Sequence, residues 1–134
     1  MIETNLHKLE KSVNSELASK IKNSNIEYNE LLIEINEKDL IDVIQFLKSN
    51  NNYKFRQLID IAGVDYPDED KRFELIYLFL SHEKNYRIKL KIKFQVGQLI
   101  PSITKIFPSA NWMEREVFDM YGIKFKNHPD LRRI

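Results

Sequence analysis

The chain has 134 residues, a mass of 16.1 kDa, no cysteine and a formal net charge of +1. That length suits a single domain around one core, since a chain of this size buries roughly two-thirds of its unfolded surface. The missing cysteines exclude disulfides, thiolate zinc sites and the usual iron–sulfur ligands, and the near-neutral charge gives no long-range pull on nucleic acid or anionic lipid.

Met1 to Glu10 lacks an apolar run and contains Glu3 and Glu10, which speaks against a secretory or transit signal. Leu6, Leu9, Val13, Leu17 and Ile21 recur at helical spacing and predict an amphipathic N-terminal helix over residues 1–22. A polar break at Asn23 to Asn25 precedes Leu31, Ile33 and Ile35, whose alternation with Glu34 and Asn36 predicts a half-buried strand. Asn36 is placed to cap a helix with Leu40, Val43, Ile44 and Leu47 on one face, fraying out over residues 49–52. Phe55 to Val64 suits a buried strand, Tyr66 to Lys71 a connection, and Arg72 to Leu80 a second strand, so a hairpin is expected.

From Tyr86 to Phe94 the alternation is unusually regular, with Tyr86, Ile88, Leu90, Ile92 and Phe94 on one face and Arg87, Lys89, Lys91 and Lys93 on the other. Pro101 fits the first turn of a short helix reaching Phe107, which Pro108 closes. A final helix is predicted from Ala110 to Tyr121, with Ser109 as cap and Gly122 as the left-handed stop, followed by an extended basic tail to Ile134. Together these elements predict one α+β domain over residues 1–134 with a mainly antiparallel sheet. No run reaches the ~18 apolar residues that span a bilayer, so no direct membrane insertion is expected.

The stretch Trp112 to Gly122 carries the most information, because Glu114, Arg115 and Glu116 spread over roughly 200° of a helix and cannot all face water if it packs. Glu116 falls between Trp112 and Met120 on the wheel, inside an apolar sector, and a buried carboxylate there needs a cation: Arg132, Arg133 or, as the charge spread right round the helix favours, an arginine of a neighbouring subunit. A plain surface helix with an Arg115–Asp119 pair is the competing reading. In the tail, Arg132 and Arg133 follow the backbone constraint of Pro129 and form either a docking arm, an internal clamp or a frayed basic end.

These residues carry a family resemblance. Trp112 to Gly122, continued by Ile123-Lys124-Phe125 and His128-Pro129-Asp130-Leu131-Arg132-Arg133-Ile134, resembles the hallmark stretch of the C-subunit family of proton-pumping NADH:quinone oxidoreductases, respiratory complex I. The shared elements are an acidic–Arg–acidic triplet, an aromatic–Asp pair, an aromatic–Gly pair and His-Pro-Asp-Leu-Arg-Arg. Leu58 to Pro67 with Arg72-Phe73-Glu74 resembles the preceding hairpin of that family, and Pro101-Ser102 with Asn111-Trp112 fits its approach to the motif. The similarity runs from about Ile33 to the end of the chain.

The resemblance implies a structural, non-catalytic subunit of the hydrophilic arm, supporting electron transfer from NADH to quinone coupled to proton translocation. It implies no cofactor in this chain, with FMN, iron–sulfur clusters and quinone on partner subunits. Those partners would be chiefly the large quinone-site subunit and the small cluster-bearing subunit beside it. The location implied is peripheral, on the cytoplasmic side of the bacterial inner membrane or the matrix side of the mitochondrial one. Docking would fall to Glu114, Arg115, Glu116, Asp119, His128, Asp130, Arg132 and Arg133. Family members usually continue with a Gly-rich, basic extension that wraps a neighbouring subunit, which these residues do not include. The equivalent arm subunit of a membrane-bound hydrogenase or a plastoquinone-type complex would look alike.

Other chemistry finds little footing. His7, His82 and His128 lack metal-ligand spacing, and Gly63, Gly97 and Gly122 cannot write a phosphate-cradling loop or a dinucleotide fingerprint. Ser81 and His82 are adjacent but without a nucleophile elbow. A single-stranded nucleic-acid module would use the Arg87 to Lys93 stripe, yet Tyr86 and Phe94 fall on the opposite face from it.

Overall fold

Strict alternation in Tyr86–Phe94 builds the centre of the fold. In the computed structural model, which describes residues 2–50, 54–81 and 86–129, this segment is strand β5, with Tyr86, Ile88, Leu90, Ile92 and Phe94 all buried. It lies between β2 (Glu30–Ile35), to which it is parallel, and β4 (Phe73–Ser81), to which it is antiparallel. The hairpin partner β3 (Gln57–Asp65) and the strand β1 (Ile21–Glu27) form the two edges, giving the order β1-β2-β5-β4-β3. Every pairing in this sheet except β2 with β5 is antiparallel, and the whole is an α+β domain.

One sheet face carries Leu31, Ile33, Ile35, Leu75, Tyr77, Phe79, Ile88, Leu90 and Ile92, which join buried side chains of helices α1 (Ile2–Glu16), α2 (Leu40–Ser49) and α3 (Ala110–Tyr121) in one core. The opposite face is laced with ion pairs: Lys89 to Glu30 at 3.4 Å, Lys91 to Glu74 at 3.4 Å and Lys93 to Glu69 at 3.6 Å. Partly exposed pairs of this kind contribute about 0–1 kcal/mol each, so the ladder mainly keeps a charged strand soluble and in register.

Three expectations from the sequence are corrected. The N-terminal helix ends at Glu16, and Ile21–Glu27 is an edge strand. Its Lys, Asn and Ser residues hide the alternation, and its pairing is set by a two-residue turn in which Tyr28 and Asn29 both take positive φ, 52° and 62°. The helix expected over Pro101–Phe107 does not form. Ile100–Pro101 is instead strand β6, parallel to β7 (Phe125–Lys126). Pro101 is tolerated because Ile100 and Ser102 supply the amides, donating to the carbonyls of Lys124 and Lys126. Finally, Asn36 and Ser109 stand at their expected helix-start positions, but neither side chain makes a capping bond. Asn36 precedes a 3-10 turn, Glu37–Asp39, that leads into α2.

Candidate docking site on helix α3

Helix α3 spans the predicted limits and stops where Gly122 adopts φ +73° and its amide donates to the Phe118 carbonyl at 2.8 Å. Ala110, Glu114 and Val117 are buried, and Tyr121 packs on the core from the same face. The outward face presents Trp112, 52% exposed, and Met120, 74% exposed, with Glu116 and Asp119 also exposed. Arg115 lays its guanidinium over the Trp112 ring at 5.4 Å, and its buried Nε has no hydrogen-bond partner. An apolar stripe set among charges is therefore left open, and such residues are overrepresented in protein interfaces.

Glu116 is not buried within the domain itself, as pairing with another subunit rather than with this chain's own arginines would require. The wheel correctly groups it with Trp112 and Met120, but that sector faces outward, and the carboxylate that α3 itself buries is Glu114. The reason is steric: the small Ala110 and the short Val117 let α3 approach β3 closely, whereas Trp112 and Met120 would hold it off. Ser102 Oγ donates to Glu114 Oε1 at 2.7 Å, the Ile103 amide donates to Oε2 at 2.9 Å, and His128 Nε2 lies 3.8 Å from Oε1. Burial pushes the Glu114 carboxyl up to about 7, with the Ser102 and Ile103 hydrogen bonds pulling the other way. Tyr77, whose buried hydroxyl has no hydrogen-bond partner, is raised well above the ordinary phenol range by burial and then by the Glu114 charge.

His128 sits inside this cluster, with Nε2 also 3.1 Å from the Asn111 carbonyl, to which it donates. Asp130, Arg132 and Arg133 lie outside the described residues. Sequence reasoning meets Ser102 only as part of the approach to the family motif, and passes over Tyr77 and the Ile103 amide. The only available signal is the i, i+4, i+7 run Ala110, Glu114, Val117, a face with too little apolar bulk to look buried. Among the described residues no group of three or more His, Asp or Glu side chains could hold a metal ion, and no helix is long and apolar enough to cross a membrane.

The hairpin and the helix meet at Gly63. The Tyr121 hydroxyl donates to the Gly63 carbonyl at 3.0 Å, and a Cβ on Gly63 would stand 2.6 Å from Tyr121 Cε2. Gly63→Ala is therefore expected to cost about 1–3 kcal/mol by forcing the ring out of its seat, read as a fall in urea midpoint. An unchanged midpoint would mean the ring has room to move. Beyond Gly63, Arg72 clamps Asp65 through two bonds of 2.6 and 2.9 Å and holds that carboxyl below its ordinary range, while Tyr66 donates to Glu74 at 2.9 Å. At the end of α3 the residues Arg72, Phe73, Phe94, Tyr121 and Lys124 line an open cleft of about 440 Å³.

Residues 33–134 match the family described as respiratory-chain NADH dehydrogenase, 30 Kd subunit. The chain belongs to that family. It is 48% identical over 109 residues to the C subunit of the NADH-quinone oxidoreductase of Ruegeria pomeroyi, covering 81% of this chain and 54% of that protein. To the corresponding C subunit of Mesorhizobium japonicum it is 40% identical over 129 residues, covering 96% and 64%. The chain thus spans roughly half to two-thirds of the length of these family members. Its fold resembles a chain in the structure of the membrane-bound sulfane sulfur reductase, an archaeal respiratory membrane complex, with a TM-score of 0.81 and 21% identity over 92% of this chain and 72% of that one. The two family segments recognised in the sequence, the hairpin and the charged helix, are the ones that pack together through Gly63 and Tyr121.

Proposed function

We propose that the chain is a cofactor-free docking subunit of an NADH:quinone oxidoreductase, seated on the hydrophilic arm and supporting electron transfer from NADH to quinone coupled to proton translocation. The observation that carries this reading is the outward face of α3, where Trp112 and Met120 stand exposed among Arg115, Glu116 and Asp119. Aromatic and methionine side chains ringed by charge suit burial against another protein. Arg115, Glu116 and Asp119 would meet charges of the large quinone-site subunit. Arg132 and Arg133 of the tail would pair with these acidic side chains or contact the next subunit, with Asp130 beside them. Glu114 and His128 act from beneath, holding the helix in place. FMN, clusters and quinone would belong to the partners, and the location would be peripheral on the cytoplasmic face of a bacterial inner membrane, or on the matrix face of a mitochondrial one.

An affinity-tagged chain extracted in mild detergent tests this by mass spectrometry of what co-purifies. Subunits that bind NADH, flavin and quinone support the reading, and hydrogenase or plastoquinone-type partners would move it to a related complex. The doubly substituted Trp112→Ala, Met120→Ala chain should lose only about 1–2 kcal/mol of its own stability, chiefly the Arg115 contact with the Trp112 ring, yet bind those partners about 30-fold less tightly, as loss of a ~2 kcal/mol hot spot requires. Undiminished recovery would place the docking surface elsewhere. Single-stranded nucleic acid is a poorer fit, because Lys89, Lys91 and Lys93 are paired with glutamates and Tyr86 and Phe94 are buried on the far face.

A further inference from the structure

We propose that the cleft at the C-terminal end of α3 receives an extended peptide segment of a partner subunit, which sets an apolar side chain on an aromatic floor and a carboxylate beside Arg72 and Lys124. The proposal rests on the reading of the chain as a docking subunit, but it uses a surface other than the Trp112 and Met120 face. The cleft holds about 440 Å³. Its floor is an aromatic group fixed from several sides, with the Phe73 ring 6.0 Å from that of Phe94 and 6.3 Å from that of Tyr121. Tyr121 is tied in turn to the Gly63 carbonyl at 3.0 Å. A floor already held in place loses little side-chain freedom when something binds to it.

The rim determines the chemistry of the occupant. Arg72 and Lys124 line the cleft, and among the described residues no Asp or Glu does. Asp65 engages Nε and Nη2 of Arg72, which leaves the Nη1 donors for a second acceptor. Lys124 is exposed and enters no ion pair among the described residues. A carboxylate set between these two cations is attracted by both, and a basic segment is repelled. The walls suit a main chain. A Cβ added at Gly97 or Gly122 would meet nothing within 4 Å, so bare backbone on two sides lets another backbone lie close. Val96 lines the cleft yet is 63% exposed, which marks the mouth. Met120, 74% exposed and next to Tyr121, carries the apolar surface on toward the outer face of α3, so a segment leaving the cleft runs onto the face assigned to docking.

Cross-linking from inside the cleft identifies the occupant. With Val96 replaced by p-benzoylphenylalanine in the full chain, irradiation of the assembled complex should join that position to a partner peptide carrying Asp or Glu beside an apolar side chain. Lys124→Glu should cut the yield of this link by about 10-fold. A link to lipid, to a second copy of this chain or to a basic segment would overturn the proposal, as would an unchanged yield in the Lys124→Glu chain. A complex that assembles without any link sinks the cleft while docking through α3 stands. If no complex forms, the docking reading has failed, and NMR of the full chain alone decides on the cleft. Acetyl-Asp-Leu-Asp-Phe-Asp amide should then shift the Gly97, Gly122 and Ile123 amides and bind about 10-fold more tightly than the same peptide with Asn for Asp. Equal binding of the two peptides, or no shift with either, leaves the cleft without its acidic preference and ends the proposal.

Discussion

A chain carrying Leu90→Asp is expected to be unfolded at room temperature, with the cooperative thermal transition lost and helical and sheet circular dichroism collapsed. Leu90 is fully buried in the central strand, paired with Ile33 on one side and Tyr77 on the other. The substitution forfeits about 2–3 kcal/mol of apolar burial and places an unpaired carboxylate in the core, which adds several kcal/mol more. A domain stable by about 5–15 kcal/mol has little left after that. One residue earlier the outcome reverses. Lys89→Glu breaks the 3.4 Å pair with Glu30 and sets two carboxylates together, on a side chain 40% exposed, so about 1 kcal/mol is expected. Comparable thermal shifts for the two variants would show that the faces of β5 have been misjudged.

Glu114→Ala is the second large effect, and it should depend on pH. The substitution leaves the buried Ile103 amide without its acceptor and opens a void beneath α3, together about 2–4 kcal/mol at pH 5. The unsubstituted chain itself loses on the order of 3 kcal/mol as pH rises from 4.5 through 7, because the folded-state carboxyl ionises reluctantly. The gap between the two chains should therefore narrow at pH 8. Glu116→Ala, on the exposed face of the same helix, should stay within about 0.5 kcal/mol at both pH values. Urea titrations of the three chains at pH 5 and pH 8 measure all of this, and a gap for Glu114→Ala that widens with pH would mean the carboxyl is held as an anion.

Much of this protein is legible in its sequence because local rules act on neighbours in the chain. Period-two alternation marks β5 and its faces residue by residue, and apolar spacing finds α2. Gly122, with its need for positive φ, marks the end of α3. The family segments are readable for a related reason, since a run of unusual residue types stays visible without knowing where it folds. What the sequence does not disclose depends on contacts between distant segments. Strand β1 is too polar to announce itself and exists because a hairpin delivers it to β2. Pro101 lies in a strand because the tail, some two dozen residues on, offers carbonyls to its neighbours. A helical wheel ranks faces by apolarity, whereas the tertiary structure ranks them by how closely they can approach the sheet. On that criterion Ala110, Glu114 and Val117 go in, and Trp112, Glu116 and Met120 are left facing out, free to dock.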